Sequence, residues 1–207
     1  MKTDEPFRLP GVDFPQRAPS PLRFPLQPTP EMTSHGISLR METPGDIPFI
    51  RSLYAGSRAA EMIALGNMWD RDTKQDFVEK QFSYQYIHHT SHYPGADYAI
   101  ILRQGRPVGR IYLYWSQGHA GPSCRLFDFL ILPDCRDMGI GSMILAALLR
   151  LARSMRASIT LNVDTTNPAR RLYSRFGFVE EAPGFRQATL AMRWQDGPIS
   201  PGLRLTG

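Results

Sequence analysis

The stretch Pro133-Asp134-Cys135-Arg136-Asp137-Met138-Gly139-Ile140-Gly141-Ser142 lies between two segments of opposite character. Upstream, RLFDFLIL at 125–132 is apolar on both faces apart from Asp128, which is the pattern of a central strand. Downstream, Gly139 to Met155 places Ile140, Ile144, Leu148 and Leu151 on one helical stripe. The decade between them is therefore a strand-to-helix turn. SITLNV at 158–163 returns as a strand, and a strand, helix, strand run of this length implies a right-handed crossover between parallel strands. The two glycines let backbone come close to a ligand, and the first turn of the helix presents unpaired N–H groups at its positive end, which together make a pyrophosphate cradle. A glycine-rich turn made for close strand–helix packing is the other reading. Two named cradles are disfavoured, because no Lys follows as a P-loop requires, and Ile144 stands where a dinucleotide fingerprint needs a third glycine.

Outward from this centre, ISLRM at 37–41 reads as a short strand, and Thr43-Pro44 with Asp46 opens a helix through Phe49, Ile50 and Leu53. Asp70 can cap a second helix, in which Phe77, Val78, Phe82 and Ile87 recur until Pro94-Gly95 breaks it. YAIIL at 98–102, the turn Gln104-Gly105 and VGRIYLYW at 108–115 form an antiparallel hairpin. Asn167-Pro168 caps a short helix that Gly177 ends, and FVEE and ATLAMRW close the chain as a last antiparallel pair. The sum is an α/β fold with a mixed, mostly antiparallel sheet and helices on both faces.

Both ends differ from this middle. Eight of the 18 prolines fall in the first 30 residues without helical or strand period, so residues 1–35 read as a disordered tail, with Met32 an alternative start. Residues 195–207 read as a flexible C-terminal tail, which leaves 36–194 as one domain. The N-terminus lacks the apolar core of a signal peptide, and no apolar run is long enough to span a membrane. Only Cys124 and Cys135 are present, without a Cys-x-x-Cys pair, so neither a disulfide framework nor a structural zinc site is indicated, and a reducing cytoplasm is the expected setting. The formal charge of +5 is spread along the chain and favours anionic ligands, but no nucleic-acid signature accompanies it.

Arg136-x-x-Gly139-x-Gly141 after Leu132-Pro133 resembles the acetyl-CoA-binding motif of the GCN5-related N-acetyltransferase (GNAT) family. Asn167-Pro168-Ala169 through Leu172-Tyr173 to Phe176-Gly177-Phe178 resembles that family's C-terminal motif, in the right order and at the right separation. The resemblance implies that the backbone from Asp137 through Met138, Gly139, Ile140 and Gly141 to Ser142 holds the pyrophosphate, with Arg136 opening the loop. It implies that the strand end at Leu130, Ile131 and Leu132 pairs with the pantetheine arm, that an N–H near Ile131 polarises the thioester carbonyl, and that Asn167 touches the far side of the arm. It also implies that Tyr173 protonates the leaving thiolate as general acid. Asp128 is the candidate base, since an ionisable group inside an apolar strand is costly unless paired or used.

Each residue has a plainer reading. Tyr173 can be a core residue of its short helix, Asn167 a helix cap, and Asp128 a structural hydrogen-bonding group. Two features depart from the family pattern. Asp137 and Met138 stand where a small or basic residue is usual, and Asp128 replaces a longer Glu. His88, His89 and His92 lack a completing Cys or carboxylate, so no metal site is expected. The expected activity is acetyl transfer from acetyl-CoA to a primary amine, on a small molecule in preference to a protein or aminoacyl-tRNA. A non-catalytic CoA-binding regulatory domain is the alternative. A homodimer is compatible with the sequence, which carries no interface signal of its own.

Overall fold

The computed structural model describes residues 26–118, 121–181 and 189–196. Its elements run α1 (Pro30–Ser34), β1 (Ile37–Met41), α2 (Ile47–Ser57), α3 (Ala59–Ala64), α4 (Arg71–His92), β2 (Asp97–Arg103), β3 (Arg106–Gly118), β4 (Gly121–Ile131), α5 (Ile140–Ser154), β5 (Ser158–Asp164), α6 (Ala169–Arg175), β6 (Val179–Glu180) and β7 (Thr189–Trp194). One seven-stranded sheet holds them in the order β1-β2-β3-β4-β5-β7-β6. Among the described residues only β4 and β5 pair in parallel, across the α5 crossover that the apolar stripe predicts.

Sequence chemistry sets the element ends. The Asp70 carboxylate accepts the Thr73 N–H at 2.7 Å and caps α4, which runs unbroken to His92, just short of Pro94-Gly95. Asp46 closes a capping box with Thr43 and is clasped by Arg40, whose Nη2 lies 2.6 Å from its Oδ1, and this fixes the entry to α2.

The sheet divides two cores. On one face α5 buries Ile144, Leu145 and Leu148 against Ile101, Ile111, Leu113 and Leu126, each such side chain contributing about 1.5–3 kcal/mol of transfer free energy. On the other, α2 and α4 pack Ile50, Tyr54, Phe82 and Tyr86 on Ile100, beside an aromatic cluster around Tyr98 and Tyr112.

The expected tail boundary at residue 35 needs correction. Pro30 to Ser34 is helical, Thr29 caps it, and Met32 is fully buried in the α5-side core together with Leu26. The proline spacing hid this short helix, because Pro30 is its first residue, where proline is compatible with a helix. Residues 1–25 of that tail and 197–207 of the C-terminal one lie outside the described residues, as does Ala188 of the final strand. Helix α3 has no counterpart among the elements expected from the sequence.

Candidate active site

The centre of the sheet is opened by a divergence of strands. β4 and β5 pair from Ser123↔Ser158 to Leu126↔Leu161 and no further, although β4 continues to Ile131 and β5 to Asp164. Past that point β4 stays paired to β3 through Gly109↔Ile131, while β5 stays paired to β7 through Asp164↔Thr189. The β4 edge from Phe127 to Ile131 therefore faces a cleft with no strand against it among the described residues. Leu132 gives its N–H to the Val108 carbonyl at 2.9 Å. Peptide groups alternate in direction along a strand, so the Ile131 N–H and carbonyl point the other way, into the cleft.

A β-bulge re-aims side chains there. The register shifts between Tyr112↔Asp128 and Leu113↔Leu126, which leaves Phe127 as the extra residue. Leu126 packs on the α5 side, whereas Phe127 and Asp128 both turn to the α2–α4 side and Phe129 and Ile131 return to the α5 side.

The glycine-rich turn closes one end of the cleft. Asp137 and Gly139 adopt left-handed backbone, with φ of 59° and 77°, a conformation that glycine takes without steric cost and Asp tolerates. Among the described residues, none of the backbone N–H groups from Asp137 to Ser142 donates to a carbonyl, and the first bond of the helix is Met143 N–H to Gly139 at 3.0 Å. Six consecutive donors at the positive end of a 15-residue helix suit a diphosphate. The Asp137 side chain is exposed and leaves those donors accessible. Arg136 folds back so that its Nε donates to the Ile131 carbonyl at 3.1 Å, at the cleft mouth. A Cβ on Gly141 would sit 3.3 Å from Leu172 and 3.6 Å from Ile131, so the turn, the β4 end and α6 meet at this residue. The close contacts at Gly141 fit the packing reading of the turn, and the open space around Gly139 is compatible with a cradle.

Tyr173 on α6 is buried, with its ring 5.6 Å from that of Phe178. Its hydroxyl has no hydrogen-bond partner among the described residues. Burial, with the charge of Asp128 adding to it, holds the phenol well above its ordinary pKa, so it stays protonated. Asn167 stands one residue before the N-cap Pro168, and its Oδ1 accepts the Ala169 N–H at 2.9 Å at the entry to α6.

Asp128 is paired. Its Oδ2 receives Arg110 Nη2 at 2.5 Å, and the two side chains are 6% and 1% exposed. Burial pushes the Asp128 carboxyl up, against the pull of Arg110, while Asp128, Tyr112 and Glu42 keep the guanidinium charged despite its burial. Arg110 also reaches Gln85 Oε1 at 3.1 Å, and Tyr112 and Tyr86 both donate to Glu42. Oδ1 of Asp128 has no partner among the described residues. Sequence reading missed Arg110, Glu42 and Tyr112. An Arg inside the apolar run VGRIYLYW, one strand before an Asp inside RLFDFLIL, was the available signal.

The three histidines do not converge. The His88 and His92 rings stack at 4.0 Å and His92 Nδ1 bonds the His88 carbonyl, while His89 is buried edge-on against Phe127. Among the described residues no group of three His, Cys, Asp or Glu could hold a metal ion. No helix there is long and apolar enough to cross a membrane.

A family model described as the acetyltransferase (GNAT) family matches residues 62–178, more than half of the chain. No curated protein matches the sequence. Among solved structures, the PaiA N-acetyltransferase of Thermoplasma acidophilum in complex with coenzyme A superposes with a TM-score of 0.55 at 14% identity, covering 77% of this chain and 98% of that one. An acetyltransferase from Thermus thermophilus gives 0.55 at 18% identity over 77% and 96%. A GNAT-family acetyltransferase from Desulfovibrio desulfuricans gives 0.53 at 16% identity over 77% and 98%. At these identities the likeness is one of fold.

Proposed function

Because the chain belongs to the GNAT acetyltransferase family and is therefore an acyltransferase with acetyl-CoA as its donor, we propose that it acetylates a primary amine of a small molecule by direct attack on the thioester. The observation that carries this reading is the run of six unpaired N–H groups from Asp137 to Ser142 at the end of the β4–β5 cleft. It supports a donor lying with its diphosphate on the turn and its amide-bearing arm along Leu130, Ile131 and Leu132.

The chain's own groups have separate tasks in the proposed reaction. The amine nitrogen forms a bond to the acetyl carbon as the carbon–sulfur bond breaks. The Ile131 N–H, directed into the cleft, stabilises charge on the carbonyl oxygen. The Tyr173 hydroxyl, protonated and without a partner, gives its proton to the departing sulfur. A substrate arriving as ammonium first gives one proton to Asp128 Oδ1, directly or through one water, while Arg110 holds Oδ2, and the neutral amine then attacks; the proton that nitrogen sheds after attack replaces the one Tyr173 has given up. A carboxyl raised by burial is a better base at neutral pH than an exposed one. Tyr54, Phe82 and Tyr86 are buried in the core beneath α2 and α4 and do not line an acceptor pocket, so the small-molecule preference is the part of the proposal that the amine panel below decides. A cytoplasmic setting rests on two cysteines that are both free.

The Arg110–Asp128 pair also favours a second reading, a CoA-binding regulatory domain in which Asp128 is purely structural. One experiment separates the two. Calorimetric titration of the full chain with acetyl-CoA should give one saturable site that Gly139→Glu abolishes, and a panel of diamines, aminoglycosides and peptide N-termini should then reveal turnover on a small amine. Binding without turnover on any amine supports the regulatory reading. Absence of binding in the folded wild type overturns both.

A further inference from the structure

The face of the sheet opposite α5 is only partly covered. The two cores on that side take their strand residues from β2, β3 and β4, and among the described residues none of β5, β6 or β7 enters them. A row of side chains crosses this open part. Register pairs Tyr114 with Arg125, Arg125 with Thr160, and Thr160 with Arg193, on β3, β4, β5 and β7 in turn. Cys124 and Leu126, Ile159 and Leu161, and Met192 and Trp194 flank the last three along their strands, and all lie in the α5-side core. Side chains alternate along a strand, so Arg125, Thr160 and Arg193 all point to the other face.

Thr160 thus stands between two guanidinium groups of unequal engagement. Arg193 gives Nε–H to Glu181 at 2.6 Å and Nη1–H to Ser158 at 3.4 Å. Arg125 is half-buried in a central strand yet makes no ion pair among the described residues. A guanidinium stays charged at any physiological pH, and partial burial without a counter-ion is costly unless an anion arrives from outside. Two such groups two strands apart, about 10 Å at the backbone, with a hydroxyl between them, suit a single oxyanion. The β4–β5 ladder ends at Leu126↔Leu161, so the row lies just below the point where the cleft opens. Asp128 occupies the same face three positions further along β4, about 10 Å of strand away.

We propose that the acceptor amine carries a carboxylate or phosphate at its far end, and that Arg125, with Thr160 and Arg193, holds that oxyanion while the amine lies at Asp128. This rests on the acyl-transfer reading above and adds the chemical class of the acceptor. Arg125 is then a specificity-determining residue that acts on acceptor affinity and leaves the chemical step alone. Its half-buried guanidinium, meeting an oxyanion through charge-assisted hydrogen bonds, contributes about tenfold in affinity after allowance for solvent screening. Arg193, whose charge Glu181 already meets in part, contributes about threefold.

The test is calorimetric titration of the full chain, with CoA present, by 6-aminohexanoate, 6-aminohexyl phosphate and hexylamine, followed by steady-state acetylation of the same three amines. At least one of the two anionic amines should bind about tenfold or more tighter than hexylamine, and the tighter one identifies the oxyanion. Arg125→Gln should remove that advantage, raising KM for the anionic amine about tenfold with kcat within about twofold and hexylamine unchanged, and Arg125→Lys should recover part of it. Arg193→Gln should weaken the anionic amine about threefold, and Glu181→Gln should tighten it about twofold. Equal binding of all three amines by the wild type, binding of none of them, or an Arg125→Gln loss that extends equally to hexylamine overturns the oxyanion site and leaves the donor reading standing. Oxyanion-selective binding without acetylation upholds the site and overturns the acyl-transfer reading.

Discussion

The two sides of the β4–β5 cleft are built from different materials. On the proposed reading the donor side is backbone, a run of N–H groups from Asp137 to Ser142 within one short segment, shaped by positive φ at Asp137 and Gly139. The acceptor side is side chain, a buried network in which Glu42, Tyr86, Arg110, Tyr112 and Asp128 arrive from four separate elements or the loops beside them. Backbone donors are indifferent to most substitutions that keep the chain's path. A buried charge network fails when any one partner is removed, because the remaining charge is left without compensation. The donor side should accordingly tolerate side-chain loss and the acceptor side should not.

The largest expected effect tests that asymmetry on stability. Asp128→Asn leaves Arg110 charged, 1% exposed and without its counter-ion, which should cost about 3–5 kcal/mol in urea unfolding. The double variant Arg110→Met with Asp128→Leu should recover most of the loss, since apolar replacements of matched volume are often neutral. A single variant as stable as wild type would show that the acceptor side is not a preassembled network. Next in size is a kinetic effect. Tyr173→Phe should lower turnover at least about 100-fold by removing the proton donor, with acetyl-CoA affinity within about twofold, because the hydroxyl bonds nothing among the described residues. Equal loss of binding and turnover would make Tyr173 a structural residue.

The same asymmetry explains what the sequence revealed. The strand-to-helix turn was legible because its determinants are contiguous, two glycines between an apolar strand and an apolar helical stripe, and β1, β2, β5 and α5 were foreseen within a residue or two of their ends. The Arg110–Asp128 pair was not, because its partners lie 18 residues apart and meet only through the β3–β4 register, at a bulge that changes which face Asp128 occupies. An apolar run with one Asp reads the same whether or not it carries a bulge. Helix α1 was hidden for a different reason. Its five residues carry too little periodicity to register, and its evidence is the burial of Leu26 and Met32 against elements more than a hundred residues away.

On the donor side the expected effects are smaller and depend on where the substitution falls. Gly139→Val puts a β-branched residue at φ 77°, where a side chain costs about 1–2 kcal/mol, and should weaken acetyl-CoA by about tenfold as the turn shifts. Ser142→Ala changes no backbone donor and should stay within about twofold. Asp137→Ala removes an exposed negative charge and should tighten binding slightly, by less than about threefold at physiological salt. A large loss in Ser142→Ala would mean that its hydroxyl, and not the backbone, makes the decisive contact.

The smallest expected effect returns to the acceptor side, at the clasp that positions α2 and so Tyr54. The bidentate hydrogen bonds of Arg40, opposed by burial and assisted by Thr43, hold the Asp46 carboxyl down at about 2. A carboxyl that is lower in the folded than in the unfolded chain stabilises the fold above its unfolded pKa, and this contribution is lost as pH falls through the folded value. Asp46 should therefore contribute fully above about pH 5, progressively less between about pH 4 and 2, and nothing below. Arg40 is 39% exposed, so screening reduces the contribution to about 1 kcal/mol. Asp46→Asn should show that deficit in unfolding at pH 7 and converge on the wild type near pH 2, with acetyl-CoA affinity at pH 7 unchanged. A deficit that persists undiminished at pH 2 would assign the role of Asp46 to its neutral cap geometry, and a loss of donor affinity would mean that the two sides of the cleft are mechanically coupled through α2, where a Cβ added to Gly56 would meet Pro133 Cδ at 3.9 Å at the start of the turn.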